Sequence, residues 1–425
     1  MAKPKLCLIP ATIGDKVYSI LPSNGVGDFD FTRATTATRI NAQGLIEEVA
    51  SGENRLNYSL LDGKVVGCPH LLLENSATNL IQYSEDFSNA YWIKATVSLA
   101  SNQIISPDGT LNADKITESS TNGLQQIYSD VITTTPSSDY VYSIFIKKEE
   151  RNWVKVMTAI NNGANFNVED GVIGIVDSGI TANIENYGNG WFKCSVSFNT
   201  SASLDRVYVR ISTSNGVTSY QGDGTSGVYI YGAMLEQGSY PTSYIKSNSG
   251  SATTRAAETC TGSGDAATFN DSEGVLMAEI SALDNDGTYR LISISDGNVN
   301  NSTNIQYSGV SNQIRARIET AGLPQADITS TVTSQTLFHK IAVLYKSNQF
   351  ELWSNGFKVG EDTNGTPPSG INKLSFDRGD GGNDFYGKTK QIQYFDSALT
   401  DSELETLTSW DSFRDMAEGQ LYTIE

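Results

Sequence analysis

Short runs of alternating apolar and polar residues fill this chain, and clusters of Gly, Asn, Asp and Ser separate them. Between residues 79 and 246 such runs fall at Ala113–Thr117, Gln125–Val131, Tyr140–Lys147, Trp153–Ile160, Phe166–Asn167, Ile180–Tyr187, Trp191–Asn199, Val207–Thr213 and Val228–Leu235. Pro107-Asp108-Gly109, Asn161-Asn162-Gly163 and Gly188-Asn189-Gly190 are the turns between them. Alternation sends successive side chains to opposite faces of a strand, so the series predicts a β-sandwich of jelly-roll type.

A second series follows residue 265: Glu273–Ile280, Tyr289–Ser295, Asn304–Tyr307, Gln313–Glu319, His339–Lys346, Gln349–Trp353, Phe357–Gly360, Leu374–Phe376 and Lys390–Phe395. Asn355-Gly356 predicts a type I′ hairpin, because both residues tolerate positive φ. Thr400 and Glu403 form a capping box for a short helix to Leu407. Ahead of both series, residues 1–78 hold only brief strands. One is a hairpin of Ala37–Ile40 with Leu45–Val49 around Asn41-Ala42-Gln43-Gly44, and another is HLLLEN at 70–75. That segment is too small and polar for a large core of its own, so it is expected to be a docking arm. The division is then an arm at 1–78, a jelly roll at 79–246, a linker at 247–264 and a second sandwich at 265–425. The fold class is all-β. Thr253–Glu258 is expected to be ordered against the arm. Thr32-Arg33-Ala34 and Thr254-Arg255-Ala256 echo each other, either as two strands that pair or by chance.

Composition narrows the function. A formal charge of −19 with no basic stripe argues against nucleic acid as a partner. Four scattered cysteines predict buried free thiols, and two histidines supply little for a catalytic triad or a zinc site. No apolar run approaches membrane-spanning length, so the chain is expected to be made in a cytoplasm, to be soluble, and not to insert in a membrane.

The blocks NLIQYSEDFSNAYW, SPDGTLNADKITE, YVYSIFIKKEERNWVKV, GNGWFKCSVSF and VYIYGAMLEQGSYPTSYI occur in that order, behind FTRATTATRINAQGLIEEV and LLLENSATNLI. As an ordered set they resemble the carbohydrate-binding-module-like jelly rolls of tailed-bacteriophage virion proteins. FYGKTKQIQYF followed by ALTDSEL resembles the close of concanavalin A-like, laminin G-like sandwiches. The resemblance implies a virion location and a tail or head fibre or similar appendage. Its partners would be other virion proteins and bacterial surface glycans, and it would form a homo-oligomer, trimeric by analogy. It also implies a structural role for Trp92 and Trp191. The alternatives are a purely structural collar or decoration subunit, and a capsule depolymerase. No E-x-D-x-E run, G-x-S-x-G or phosphate loop is present, so no catalytic residue is assigned and the chain is read as a non-enzyme.

Alternation places Trp153, Tyr208, Arg210, Tyr229 and Tyr231 opposite core residues, where they would share one sheet face. Such a face either stacks sugar rings or packs against the arm, the second sandwich or another subunit. Asp377, Asp380, Asn383 and Asp384 gather oxygen ligands on a Gly-rich loop, which is either a Ca²⁺ site or a turn. Glu85 and Glu236, near the ends of the jelly roll, are a second cation guess.

Overall fold

The computed structural model describes residues 3–13, 16–158 and 162–409. The chain is all-β, built as antiparallel β-sandwiches with one short helix among the described residues. In the first sandwich, a six-stranded sheet runs in the order Val97–Ile105, Leu111–Glu118, Gly227–Gln237, Ser138–Lys148, Trp191–Thr200, Ile180–Asn186. A seven-stranded sheet faces it, in the order Trp92–Ala95, Asn122–Ser129, Val207–Ser212, Trp153–Thr158, Gly163–Asn167, Val172–Val176, with Ser219–Gln221 added to Asn122–Ser129. The expected end of the Trp153 strand at Ile160 lies outside the described residues. Ile116, Tyr142, Ile144, Val196 and Ile230 of one sheet meet Ile127, Val154, Phe166, Val209 and Ile211 of the other in one core. Burying each aliphatic side chain contributes about 1.5–3 kcal/mol, which is what drives the two sheets together.

The second sandwich pairs an eight-stranded sheet with a five-stranded one. Three N-terminal strands belong to the larger sheet. Lys64–Leu73 pairs with the start of Gly387–Phe395, Leu6–Leu8 pairs with its end, and Arg55–Leu61 lies outside Lys64–Leu73. Leu6, Leu8, Val17, Phe29, Phe31, Leu71 and Leu73 share a single core with Leu276, Ile292, Ile305 and Tyr394. Two short strands bind the same segment to residues 247–264: Ala77–Asn79 pairs with Thr253–Arg255, and Phe29–Thr32 pairs with Thr259–Thr261.

Local signals behave as their chemistry requires. Asn355 and Gly356 take φ of 50° and 89°, closing the hairpin between Gln349–Ser354 and Phe357–Asp362. Thr400 accepts from the Glu403 backbone and Glu403 returns the bond, so the helix runs Asp401–Thr408 and lays Leu404 and Leu407 on the outer face of the eight-stranded sheet. The hairpin of Ala37–Ile40 with Ile46–Val49 forms around Asn41 and Gly44.

Candidate functional site

The five residues expected on one face lie on two. Trp153, Tyr208 and Arg210 stand on the outer face of the seven-stranded sheet, whereas Tyr229 and Tyr231 stand on the outer face of the six-stranded one. Alternation assigned each residue correctly to the side away from the core. The two sheets of a sandwich turn those sides in opposite directions, however, so the expected common platform does not exist. Tyr231 is also buried, at 2% exposure, packed with Phe145, Tyr244, Trp191 and the arm residues Ile46 and Ala77. Its hydroxyl lies 3.0 Å from carboxylate oxygens of both Glu85 and Asp108. Burial raises the Tyr229 phenol, which lies partly under the same cluster.

On the opposite face Tyr208 stacks on Tyr128 at 4.9 Å, and Arg206 and Arg210 sit over the two rings at 5.4 and 5.8 Å. Arg210 Nε donates to Gln126 at 2.6 Å. A guanidinium therefore lies over each ring of this pair, which reduces the aromatic surface open to a sugar ring. Trp153 packs over Gly174, where a Cβ would come within 2.6 Å of the indole. Trp92 and Trp191 are buried, their indole N–H groups donating to the Tyr83 and Ile105 carbonyls at 2.7 and 3.0 Å.

The Gly-rich loop does not assemble a cation site. Asp380 is held by Arg378 at 2.6 Å, Asp384 accepts from the Tyr386 hydroxyl at 2.8 Å, and the buried Asp377 accepts from the Gly379 amide. The backbone carbonyl of Asn383 receives the Leu291 amide. Among the described residues no three His, Cys, Asp or Glu side chains are grouped to hold a metal. Glu85 and Glu236 are likewise apart in their bonding: Glu85 takes Tyr231, Tyr244 and Lys246, and Glu236 takes the Thr242 amide and hydroxyl. The turn chemistry of Asp and Asn accounts for the loop's composition.

Arg33 and Arg255, the two echoed residues, do not pair as strands but converge on one buried network. Glu258 receives Arg33 at 2.8 Å and both the Nε and Nη2 of Arg55. Glu74 receives Arg55 at 2.8 Å, Arg255 at 3.0 Å, and the Ser243 amide and hydroxyl at 2.9 and 2.6 Å. All five charged residues are at most 3% exposed. Burial alone would raise the Glu74 carboxyl, yet Arg255 and Arg55 hold it well below the usual carboxylate range. A charge so buried persists only when paired and hydrogen-bonded, and these residues come from the arm, the 247–264 segment and the end of the jelly roll.

Beside this network lies a groove of about 920 Å³. Its floor is the outer face of Ile180–Asn186 and Trp191–Thr200, offering Thr181, Asn183, Glu185, Ser195 and Ser197. Its roof is the Arg55–Leu61/Lys64–Leu73 hairpin, of which Asn57, Tyr58, Ser59, Leu60 and Leu61 line it. The hairpin reaches across because its tip, Asp62-Gly63, has φ of 48° and 71°, and because Gly63 rests on Gly188. A Cβ on Gly63 would lie 2.4 Å from Asn186 Oδ1 and 2.5 Å from the Gly188 nitrogen. Residues 239–244 close one wall, and Leu283, Asp284 and Lys388 of the second sandwich reach the rim. Lys193 Nζ is pinned to the Thr242 carbonyl at 3.0 Å. Burial lowers the Lys388 ammonium, opposed by Glu185 and Glu74, and burial pushes Tyr240 up to about 12. Behind Thr242, burial lifts Glu236 to about 7, against the hydroxyl and amide of Thr242. Sequence reading missed this site; its available signal was Asp62-Gly63 between alternating residues.

The lining is hydroxyl- and amide-rich, and its carboxylates (Asp62, Glu74, Glu169, Asp170, Glu185 and Asp284) outnumber its cations (Arg39, Lys193 and Lys388). Such a groove suits a neutral or cationic polar chain better than an anion.

No protein-family model and no curated protein matches the chain. Among solved structures, 35% of the chain is similar to 94% of the Ruminococcus gnavus IT-sialidase CBM40 bound to α2,3-sialyllactose, at 14% identity and a TM-score of 0.30. A further likeness, at 18% identity and a TM-score of 0.29, covers 34% of this chain and 25% of the NanB sialidase from Streptococcus pneumoniae. A third, to the SAP-like pentraxin of Limulus polyphemus, covers 33% of this chain and 72% of that one, at 11% identity and a TM-score of 0.27. At these scores none of the three specifies a ligand for this chain.

Proposed function

We propose that this chain is a non-enzymatic structural protein of a tailed-bacteriophage particle, a tail or head fibre or related appendage, that binds glycans of the host surface. The roofed polar groove of about 920 Å³ carries the binding half of this reading. Hydroxyls and amides line it on two sides, which suits a ligand that is itself dense in hydroxyls, and the arm hairpin fixes its width. The ordered sequence blocks across about residues 28–258 support the virion half. Glycan binding would be tested on an array of bacterial capsule and lipopolysaccharide fragments, using the whole chain beside its Asn183→Trp variant. Asn183 is exposed on the groove floor, so an indole there fills the groove at little cost to folding. Binding that Asn183→Trp reduces by about tenfold or more supports the reading. Binding to no fragment, or equal binding by both proteins, sinks it. New reducing ends released from purified capsule would establish a depolymerase instead.

One observation favours a second, structural reading. The edge strand Val172–Val176 of the seven-stranded sheet exposes Val172, Ile173, Ile175 and Val176, each by 36% or more. An open apolar edge of this kind is usually covered in an assembly, and other virion proteins would be the cover.

A further inference from the structure

The five-stranded sheet of the second sandwich has an outward face that behaves unlike a solvated surface. On the strand Ser302–Tyr307, the residues Thr303, Ile305 and Tyr307 face inward. The alternate residues Ser302, Asn304 and Gln306 face out, and they are polar as an outer face requires. Yet they are 1%, 3% and 3% exposed. They form the floor of a basin of about 390 Å³, with Arg315 and Arg317 on one flank and Tyr289 and Asn383 on the other.

Two atoms of that floor lack partners. Asn304 donates through Nδ2 to Ser302 and to the Arg317 carbonyl, but its Oδ1 is buried and unpartnered, as is Gln306 Nε2. Burying polar atoms unpaired is costly, and native proteins seldom do so without a bound molecule to complete them. The two amides lie two residues apart on one strand, roughly 6–7 Å along it. One offers an acceptor and the other a donor, a combination that hydroxyls on one sugar ring can answer together.

Charge decides the class of ligand. Each guanidinium around the basin already has a carboxylate: Arg315 pairs with Asp327, Arg317 with Glu319, and Arg378 with Asp380. An anion would have to compete with these carboxylates for the guanidiniums, whereas a neutral ligand would not. Tyr289, 43% exposed at the rim, supplies a ring against which a pyranose C–H face can lie. The volume is near the lower end of small-molecule pockets, roughly 300–1,000 Å³, which suits one or two sugar residues rather than a chain.

We infer that this basin is a second binding site, separate from the groove under the arm hairpin, and that it takes a neutral mono- or disaccharide unit through Asn304 and Gln306. The probes are the methyl glycosides of glucose, galactose and mannose at millimolar concentration, with glucuronic acid as the anionic comparator. Saturation-transfer NMR would be recorded on the whole chain and on its Gln306→Met and Asn183→Trp variants. Gln306→Met keeps the side-chain length and removes the orphaned amide, so it is expected to fold with an unchanged or raised Tm. At least one neutral glycoside should show transfer, weakened about tenfold by Gln306→Met and untouched by Asn183→Trp. Failure of the groove reading would leave this pattern intact. Transfer from none of the three glycosides, transfer that survives Gln306→Met, or a preference for glucuronic acid would overturn the site and leave a basin filled by water only.

Discussion

At the scale of single residues, the clearest physical statement in the molecule is made by buried charge. Arg33, Arg55, Arg255, Glu74 and Glu258 leave water together, which is tolerable because each guanidinium meets a carboxylate and the spare oxygens meet Ser243 or backbone amides. Glu236, close by, has no such guanidinium bonded to it, and burial lifts its carboxyl from 4.5 to about 7. Its folded form therefore binds a proton more tightly than the unfolded chain does. Stability from this group is complete below pH 4.5, falls as pH rises, and is lost above about 7; the interval corresponds to roughly 3 kcal/mol at about 1.4 kcal/mol per pH unit. Glu74 acts in the other sense, since its carboxyl is held down: its contribution is present above 4.5 and is lost as pH falls below that value. Thermal denaturation of the whole chain and of Glu236→Gln between pH 5 and pH 8 separates the two. The variant should gain on the parent steadily as pH rises, by up to roughly 3 kcal/mol at the alkaline end. Parallel curves would show that Glu236 ionises freely in the fold.

At the scale of elements, the arm hairpin is the piece that turns an outer sheet face into a groove. Its reach depends on a glycine pressed against a glycine, so Gly63→Ala adds both a left-handed strain at φ 71° and an overlap with Gly188. The tip should lift, at a cost of roughly 1–3 kcal/mol. Hydrogen exchange should then quicken in Tyr58–Val66, and groove binding should weaken while the basin of the second sandwich is unaffected. Unchanged exchange there would mean that the tip does not bear on the floor. The same hairpin marks the limit of what was legible. Strands whose two faces differ, such as Val207–Ser212 and Gln313–Thr320, announced themselves by alternation, and Asn355-Gly356 and the Thr400–Glu403 box announced their turn and cap. Arg55–Leu61 gives no such signal, because it is half-buried along its length and shows no clean two-residue period. Nor can alternation say which of two sheets a strand joins, so it does not separate Tyr229 and Tyr231 from Tyr208. The convergence of Arg33 with Glu258 spans 225 residues, and no local pattern encodes it.

At the scale of the whole molecule, the arm is threaded through both sandwiches. Leu6–Leu8 and Lys64–Leu73 occupy one edge of Gly387–Phe395, and Ile46 and Ala77 lie in the cluster over the six-stranded sheet. Removing residues 1–78 would strip seven apolar side chains from the core of the second sandwich: Leu6, Leu8, Val17, Phe29, Phe31, Leu71 and Leu73. At about 1.5–3 kcal/mol each, their loss comes to about 10–21 kcal/mol, as large as the whole stability of a typical domain, roughly 5–15 kcal/mol. It would also open the backbone edge of Gly387–Phe395 to pairing with other chains. A chain of residues 79–425 is therefore expected to aggregate when expressed alone, and to become soluble when residues 1–78 are supplied as a separate polypeptide. For the intact chain the shared core and the buried ion network predict one cooperative calorimetric transition, with calorimetric and van't Hoff enthalpies in agreement. Two resolved transitions, or a soluble and folded 79–425 fragment, would show that the arm merely rests on sandwiches that stand without it.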